Sequence, residues 1–105
     1  MARIRAPELA GRGWIGVPDD TTLASMRGRF VLLDFWTFCC VNCLHVLDEL
    51  RPLEQRWHDA LTVIGVHSPK FAHEAEPGAV ESAVARYGVA HPVLDDATLT
   101  TWQAY

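Results

Sequence analysis

FVLLDFWTFCCVNC, at residues 30–43, joins an apolar run to a pair of cysteines in a CxxC pattern. Residues 30–35 are rich in strand-forming side chains, and such a run predicts a buried central strand with both faces covered. From Cys43 onward, apolar residues recur every three or four positions, which predicts a helix. The two sulfurs therefore lie at a predicted helix N-terminus, where free N–H groups and the helix dipole favour a thiolate.

The two cysteines are predicted to have different roles. Cys40 precedes the helix and is the more exposed, so its pKa is expected to be lowered. Cys43 lies one turn into the helix and faces the core, so it is expected to stay protonated until a mixed disulfide has to be resolved. Because thiolates attack disulfides, the pair predicts a thiol–disulfide oxidoreductase, an enzyme that needs no metal and no organic cofactor.

Asp34 is the other candidate for chemistry, because it interrupts the apolar run before the cysteines. Burial would raise its pKa, and a side chain under the helix start would accept the proton of Cys43 as Cys43 attacks. The alternative is an aspartate at a strand end that caps a neighbouring turn.

The rest of the chain alternates strands and helices. The predicted elements are a mostly irregular lead (1–20) with a short strand (14–17), a short helix (23–26), a strand (61–66), a loop (68–78), a helix (79–87), a strand (91–94) and a last helical segment (99–105). Pro52 is expected to kink or divide the helix that begins at Cys43. Glu74, Glu76 and Glu81 are expected to form a solvated acidic surface. The order predicts an α/β fold with a parallel sheet.

Composition narrows the functional classes. A length of 105 residues predicts one domain, residues 1–105, and the net charge of −4 argues against a nucleic-acid partner. No segment has the length of a membrane span, and the first residues lack the apolar stretch of a signal peptide, so a cytoplasmic location is expected. A zinc site built from Cys39, Cys40, Cys43 and His45 is a minor alternative that lacks a second ligand pair. Haem attachment is excluded because Leu44, not histidine, follows Cys43.

Residues 34–43 resemble the active-site stretch of the thioredoxin superfamily, with the acid six residues before the attacking cysteine. A narrower resemblance rests on three segments: WTFCCVNCLH (36–45), IGVHSPKF (64–71) and HPV (91–93). Together they resemble the thioredoxin-like domain that precedes NHL-repeat propellers, which is related to the TlpA and AhpC/TSA-type redoxins. The resemblance implies a thioredoxin-like fold with a mainly parallel central sheet flanked by helices.

The resemblance also implies roles for residues around the dithiol. Trp36 would shield the site, although core packing explains it nearly as well. Cys39 takes the place of an aromatic residue and is expected to be a small half-buried hydrophobe, with a reactive third thiol as the alternative. The implied partners are protein or small-molecule disulfides and a thiol reductant.

The sequence departs from the superfamily pattern at Asn42, where proline is usual before the second cysteine. The resemblance further implies that the chain stops before the cis-proline loop, β-hairpin and final helix, which would leave a strand edge open to self-association. Two other functions stay open. One is a peroxiredoxin-like peroxidase, with Cys40 peroxidatic and Thr37 orienting the peroxide, although Leu33 replaces the proline of that family. The other is a redox-inert interaction domain attached to an NHL propeller.

Overall fold

A computed structural model describes residues 5–105, and in it strands and helices alternate as predicted. The strands are β1 (Trp14–Ile15), β2 (Phe30–Trp36), β3 (Leu61–His67) and β4 (Val93–Asp95). The helices are α1 (Val41–Arg56), α2 (Ala79–Tyr87) and α3 (Thr100–Ala104), with 3₁₀ turns at Leu23–Met26 and Ala72–Ala75. The α/β class is confirmed. None of the helices in this part of the chain is long and apolar enough to cross a bilayer.

The described strands form one mainly parallel sheet in the order β1-β4-β3-β2. Strands β2, β3 and β4 run parallel, and β1 pairs antiparallel with β4. The prediction that residues 30–35 form the central strand is wrong, because β3 and β4 are the strands with neighbours on both sides and β2 lies at the edge. Phe30 at the start of β2 is 77% exposed. An apolar run indicates that both faces of a strand are covered. It does not indicate how many neighbouring strands pair with it.

The sheet separates two apolar clusters. On the face covered by α1 and α2, which we call the helix face, the buried members are Trp36, Leu47, Val80, Ala83 and Val93. On the opposite face they are Leu9, Ile64, Val66 and Leu94. Along β2 the side chains alternate between the faces, so Val31, Leu33 and Phe35 pack with the second cluster. Asp34 and Trp36 therefore share the helix face.

Helix α1 is not divided at Pro52, which lies inside one continuous helix. Proline cannot donate the hydrogen bond that the carbonyl of Asp48 would accept in a regular helix. Both residues are exposed, so that carbonyl lies on the solvent side, where water can hydrate it. The helix can therefore continue through the proline.

The prediction that Glu74 belongs to a solvated surface is wrong, because its side chain is fully buried. Its Oε1 accepts hydrogen bonds from the backbone N–H groups of Lys70 and Phe71, both at 3.1 Å. These bonds close the turn that leads into the 3₁₀ helix Ala72–Ala75. The loop at 68–78 is thus ordered around a buried carboxylate, which a count of acidic residues does not indicate.

Gly65 lies in the middle of β3, where a side chain would not fit. A Cβ at this position would approach Trp36 Nε1 to 2.9 Å and His91 Nε2 to 3.3 Å. We therefore expect Gly65→Ala to lower the free energy of unfolding by about 1–3 kcal/mol, as overpacking does. Urea denaturation checks this against Gly13→Ala, where the new Cβ meets Asp19 Oδ1 at an ordinary 3.5 Å. Equal stability of the two variants would contradict the prediction.

Candidate active site

Cys40 is the N-cap residue of α1. Its backbone is extended, and its Sγ accepts a hydrogen bond from the Cys43 N–H at 3.3 Å. The Cys40 carbonyl accepts from Leu44 N–H at 3.1 Å, while the Cys40 N–H donates to the Thr37 carbonyl at 3.2 Å. The turn before the helix thus places one sulfur on the free N–H groups of the first helical turn.

The pKa values of the two thiols are shifted in opposite directions. Hydrogen bonds from the Cys43 side chain and then from its backbone lower the pKa of Cys40, and the nearby charge of Lys70 adds to the effect. Burial, followed by the hydrogen bond with Cys40, raises the pKa of Cys43. The geometry therefore favours the thiolate form at the partly exposed Cys40 and the protonated form at Cys43. All three cysteines are free.

Asp34 lies within β2 on the helix face, beside Gly65 of β3. Desolvation raises the pKa of its carboxyl group, and among charged neighbours His91 lowers that pKa and Glu54 raises it. In turn, the Asp34 charge is one of the influences that raise the pKa of Cys43. Asp34 is therefore coupled electrostatically to the second sulfur, and it lies inside the strand instead of at a strand end.

Trp36 is buried beside His67, a residue with no predicted role. The Trp36 ring meets His67 edge-on, with 5.0 Å between ring centroids, and Phe38 stacks on His67 at 5.2 Å. His67 is fully buried, and its Nε2 accepts from the Phe38 N–H at 3.3 Å. Burial lowers the pKa of His67, which favours the neutral ring that this hydrogen bond requires. His67 thus holds the segment that leads to the cysteines.

Cys39 is exposed, so the prediction of a half-buried hydrophobe is wrong. Its Sγ lies 3.3 Å from His73 Nε2. Partial desolvation and then the Glu74 carboxylate raise the pKa of Cys39, which disfavours its thiolate. The Cys39 side chain points outward because the backbone before α1 directs the sulfur of the next residue, Cys40, toward the helix N-terminus.

Thr37 is buried next to the cysteines, and its hydroxyl accepts a hydrogen bond from the Cys39 N–H at 3.4 Å. An open groove of about 450 Å³ runs beside this turn. Its lining includes Trp36, Thr37, Cys43, Ser68, Pro69, Lys70 and Trp102. The groove is largely apolar, with one cation at its rim.

The zinc alternative involves Cys39, Cys40, Cys43 and His45. His45 is exposed on α1. Across residues 5–105, no three side chains of histidine, cysteine, aspartate or glutamate are grouped so that they could hold a metal ion.

No family model matches the chain. A solved structure, the solution structure of a thioredoxin-like protein in the oxidized form, superposes with a TM-score of 0.81 over 94% of this chain and 67% of that one, at 24% identity. The fold is thioredoxin-like. In this thioredoxin-like chain, the turn that carries the cysteines thus lies at the start of α1, the first long helix of the fold.

Two relatives add sequence similarity to the thioredoxin-like fold. NHL repeat-containing protein 2 of Gallus gallus is 42% identical over 103 residues, which cover 94% of this chain and 14% of that protein. Thiol-disulfide oxidoreductase YkuV of Bacillus subtilis (strain 168) is 25% identical over 92 residues, covering 86% of this chain and 61% of that protein. The chain therefore spans only a part of the length of each. The resemblance to the thioredoxin-like domain of NHL-repeat-containing proteins is confirmed.

Proposed function

We propose that this chain is a thiol–disulfide oxidoreductase in which Cys40 attacks and Cys43 resolves. The observation that carries the proposal is the cap of α1, where Cys40 Sγ accepts the Cys43 N–H while Cys43 itself lies inside the first turn. Such a cap stabilises a thiolate on the partly exposed Cys40 sulfur. The similarity to a protein named as a thiol-disulfide oxidoreductase supports the same reaction class.

The reaction takes two exchange steps. The Cys40 thiolate attacks a substrate disulfide, forms a mixed disulfide and expels one substrate thiolate. Cys43 then loses its proton to Asp34 and attacks the Cys40 sulfur, which releases the second substrate thiolate and closes a Cys40–Cys43 disulfide. Two electrons pass to the substrate, and a thiol reductant must restore the dithiol. The proposed substrates are protein or small-molecule disulfides.

Two neighbouring residues shape the site in this proposal, and a third lies beside it. Trp36 forms the buried wall behind Cys43, and Thr37 fixes the turn through its hydrogen bond to Cys39 N–H. Cys39 faces solvent and keeps its proton, so it takes no part in the exchange. The apolar groove beside the turn would receive the substrate chain.

A redox titration tests the proposed dithiol. The purified chain is equilibrated in graded dithiothreitol buffers, alkylated and read by mass spectrometry. We expect Cys40 and Cys43 to convert together in one two-electron step, with Cys39 free throughout. Absence of a Cys40–Cys43 disulfide in every buffer would refute the proposal and favour a redox-inert interaction domain. Rapid consumption of hydrogen peroxide with sulfenic acid on Cys40 would instead indicate a peroxidase.

The pH dependence of alkylation should separate the three thiols. Because the hydrogen bonds from Cys43 lower the pKa of Cys40, iodoacetamide should label Cys40 at a lower pH than an ordinary cysteine. Because the pKa values of Cys43 and Cys39 are raised, iodoacetamide should label these two thiols only at higher pH. In Cys43→Ala, which lacks the side-chain hydrogen bond, the Cys40 profile should move upward. An unchanged profile in that variant would contradict the assigned cause.

We further propose that residues 1–105 act as one thioredoxin-like module in a reducing, cytoplasmic setting. The absence of a spaced cysteine framework in the sequence supports the reducing setting. The similarity to a much longer NHL repeat-containing protein supports a role as part of a larger assembly of domains. Cell fractionation of the native protein tests the location. Acid quenching before lysis traps the thiols and tests the reducing setting.

A further inference from the structure

Three buried polar atoms gather above Gly65 on the helix face, and we call this place the polar chamber. Trp36 Nε1 and His91 Nε2 lie 2.9 and 3.3 Å from the position that a Cβ of Gly65 would take. Asp34 is the register partner of Gly65, so its side chain leaves the sheet on the same face. Within residues 5–105, neither of these nitrogens nor Asp34 Oδ2 has a hydrogen-bond partner.

His91 connects the polar chamber to a carboxylate at the surface. Its Nδ1 lies 2.8 Å from Glu54 Oε1, and the two side chains are 4% and 22% exposed. When Nδ1–H donates to Glu54, the neutral imidazole carries its lone pair on Nε2, which is the atom in the chamber. Glu54 also lines a surface groove with Arg51, Gln55, His58 and Ala90. The pair thus spans from the chamber to solvent.

We propose that His91 and Glu54 form a proton path between Asp34 and solvent that serves the resolving step, an inference that rests on the dithiol function proposed above. The proton of Cys43 passes to Asp34 as Cys43 attacks the mixed disulfide. Asp34 gives it to His91 Nε2, and the proton on His91 Nδ1 leaves through Glu54. For each disulfide closed, one proton leaves Cys43 and one enters solvent, while the released substrate thiolate takes its proton from water.

The charges around Asp34 fit this path. The ionisable groups that act on it are His91, ahead of β4, and Glu54 of α1, and Asp34 itself acts on Cys43 of α1. Strand β3 contributes Gly65 at this point, which carries no charge. Burial raises the pKa of Asp34 and His91 lowers it, so the imidazole controls how readily the carboxyl group accepts and releases a proton. His91 is accordingly a positioning residue, since it touches neither sulfur.

Stopped-flow kinetics on the full chain, with Cys39→Ser as background, test the path. Dithiobis(nitrobenzoate) gives a first chromophore when Cys40 forms the mixed disulfide and a second when Cys43 displaces it. We expect His91→Gln and Glu54→Gln to slow the second release roughly tenfold near neutral pH and to alter its pH profile, with the first release unchanged. Glu49→Gln, the same charge change on an exposed part of α1, should behave as the background does. Identical second phases in all four proteins overturn the proposal.

A second readout needs no turnover. Carbon NMR of the Asp34 carboxyl group gives its titration midpoint directly, and His91→Gln should move the midpoint upward, while Glu49→Gln leaves it in place. A midpoint unaffected by His91→Gln overturns the proton path. If the Cys39→Ser background protein never releases the second chromophore, the proposed dithiol function is refuted. The titration midpoint of Asp34 then still decides whether His91 is coupled to Asp34. If His91→Gln does not fold, Glu54→Gln decides both readouts. Its amide oxygen can still accept from Nδ1–H, and loss of the Glu54 charge should move the Asp34 midpoint downward.

Discussion

The Cys43→Ser variant is expected to accumulate a mixed disulfide between Cys40 and the substrate. Cys40 keeps its place at the N-cap of α1, so it still attacks. Without the second sulfur the intermediate has no internal nucleophile to release it. Incubation with an oxidised peptide, followed by non-reducing mass spectrometry, should show one adduct per chain, located on Cys40.

The Cys40→Ser variant is expected to lose exchange activity almost entirely. Its rate should fall by at least about a thousandfold, because removal of an attacking nucleophile is among the costliest changes in an active site. Cys43 cannot substitute for it, since burial raises its pKa and keeps it protonated. Cys39→Ser serves as the control and should retain activity. An adduct on Cys39 in the Cys43→Ser variant, or activity in Cys40→Ser, would reverse the assigned roles.

Asp96→Ala is expected to lower the free energy of unfolding by about 3 kcal/mol, because each unpaired buried polar group costs roughly 1–3 kcal/mol. Asp96 is fully buried, and its oxygens accept from Thr101 N–H at 2.9 Å, Trp102 N–H at 3.0 Å and the Ser68 hydroxyl at 2.9 Å. Alanine would leave these donors of α3 and of the loop after β3 without their acceptor.

Urea denaturation measures the Asp96 effect, with Asp20→Ala as its control. Asp20 is exposed, and its replacement should change stability by no more than about 0.5 kcal/mol. A loss below about 1 kcal/mol in Asp96→Ala would show that the three donors find other partners. Because Ser68 and Trp102 line the groove beside Cys43, a large loss should also slow substrate exchange.

The secondary structure could be predicted because its signals are local. The apolar periodicity after Cys43 gives α1, Gly88 ends α2 in a left-handed conformation, and Thr22 caps the short helix through Ser25 N–H. The position of β2 in the sheet could not be predicted, because strand order depends on pairing between distant segments. Its apolar run looks the same at an edge as in the centre.

The same holds for the candidate site: its local features could be predicted, and its contacts between distant segments could not. Cys40 and Cys43 lie three positions apart, so spacing alone places them on one helical turn. His67, Glu74 and His91 reach the site from distant segments, and single histidines or acids carry no signal of burial. One clue was available for His67, which ends β3 at the carboxyl end of a parallel sheet, where the ends of neighbouring strands meet.

Cys40 Sγ, the sulfur that we propose attacks substrate, also caps α1. A thiolate is a stronger acceptor for the Cys43 N–H than a sulfur bonded to a second sulfur, so the proposed exchange would weaken and restore one end of the helix in each cycle. Chemistry and local opening of the helix are thereby linked thermodynamically. Hydrogen–deuterium exchange at the Cys43 amide should consequently run slower in the reduced protein than in the mixed disulfide, which makes a single backbone proton a reporter of redox state.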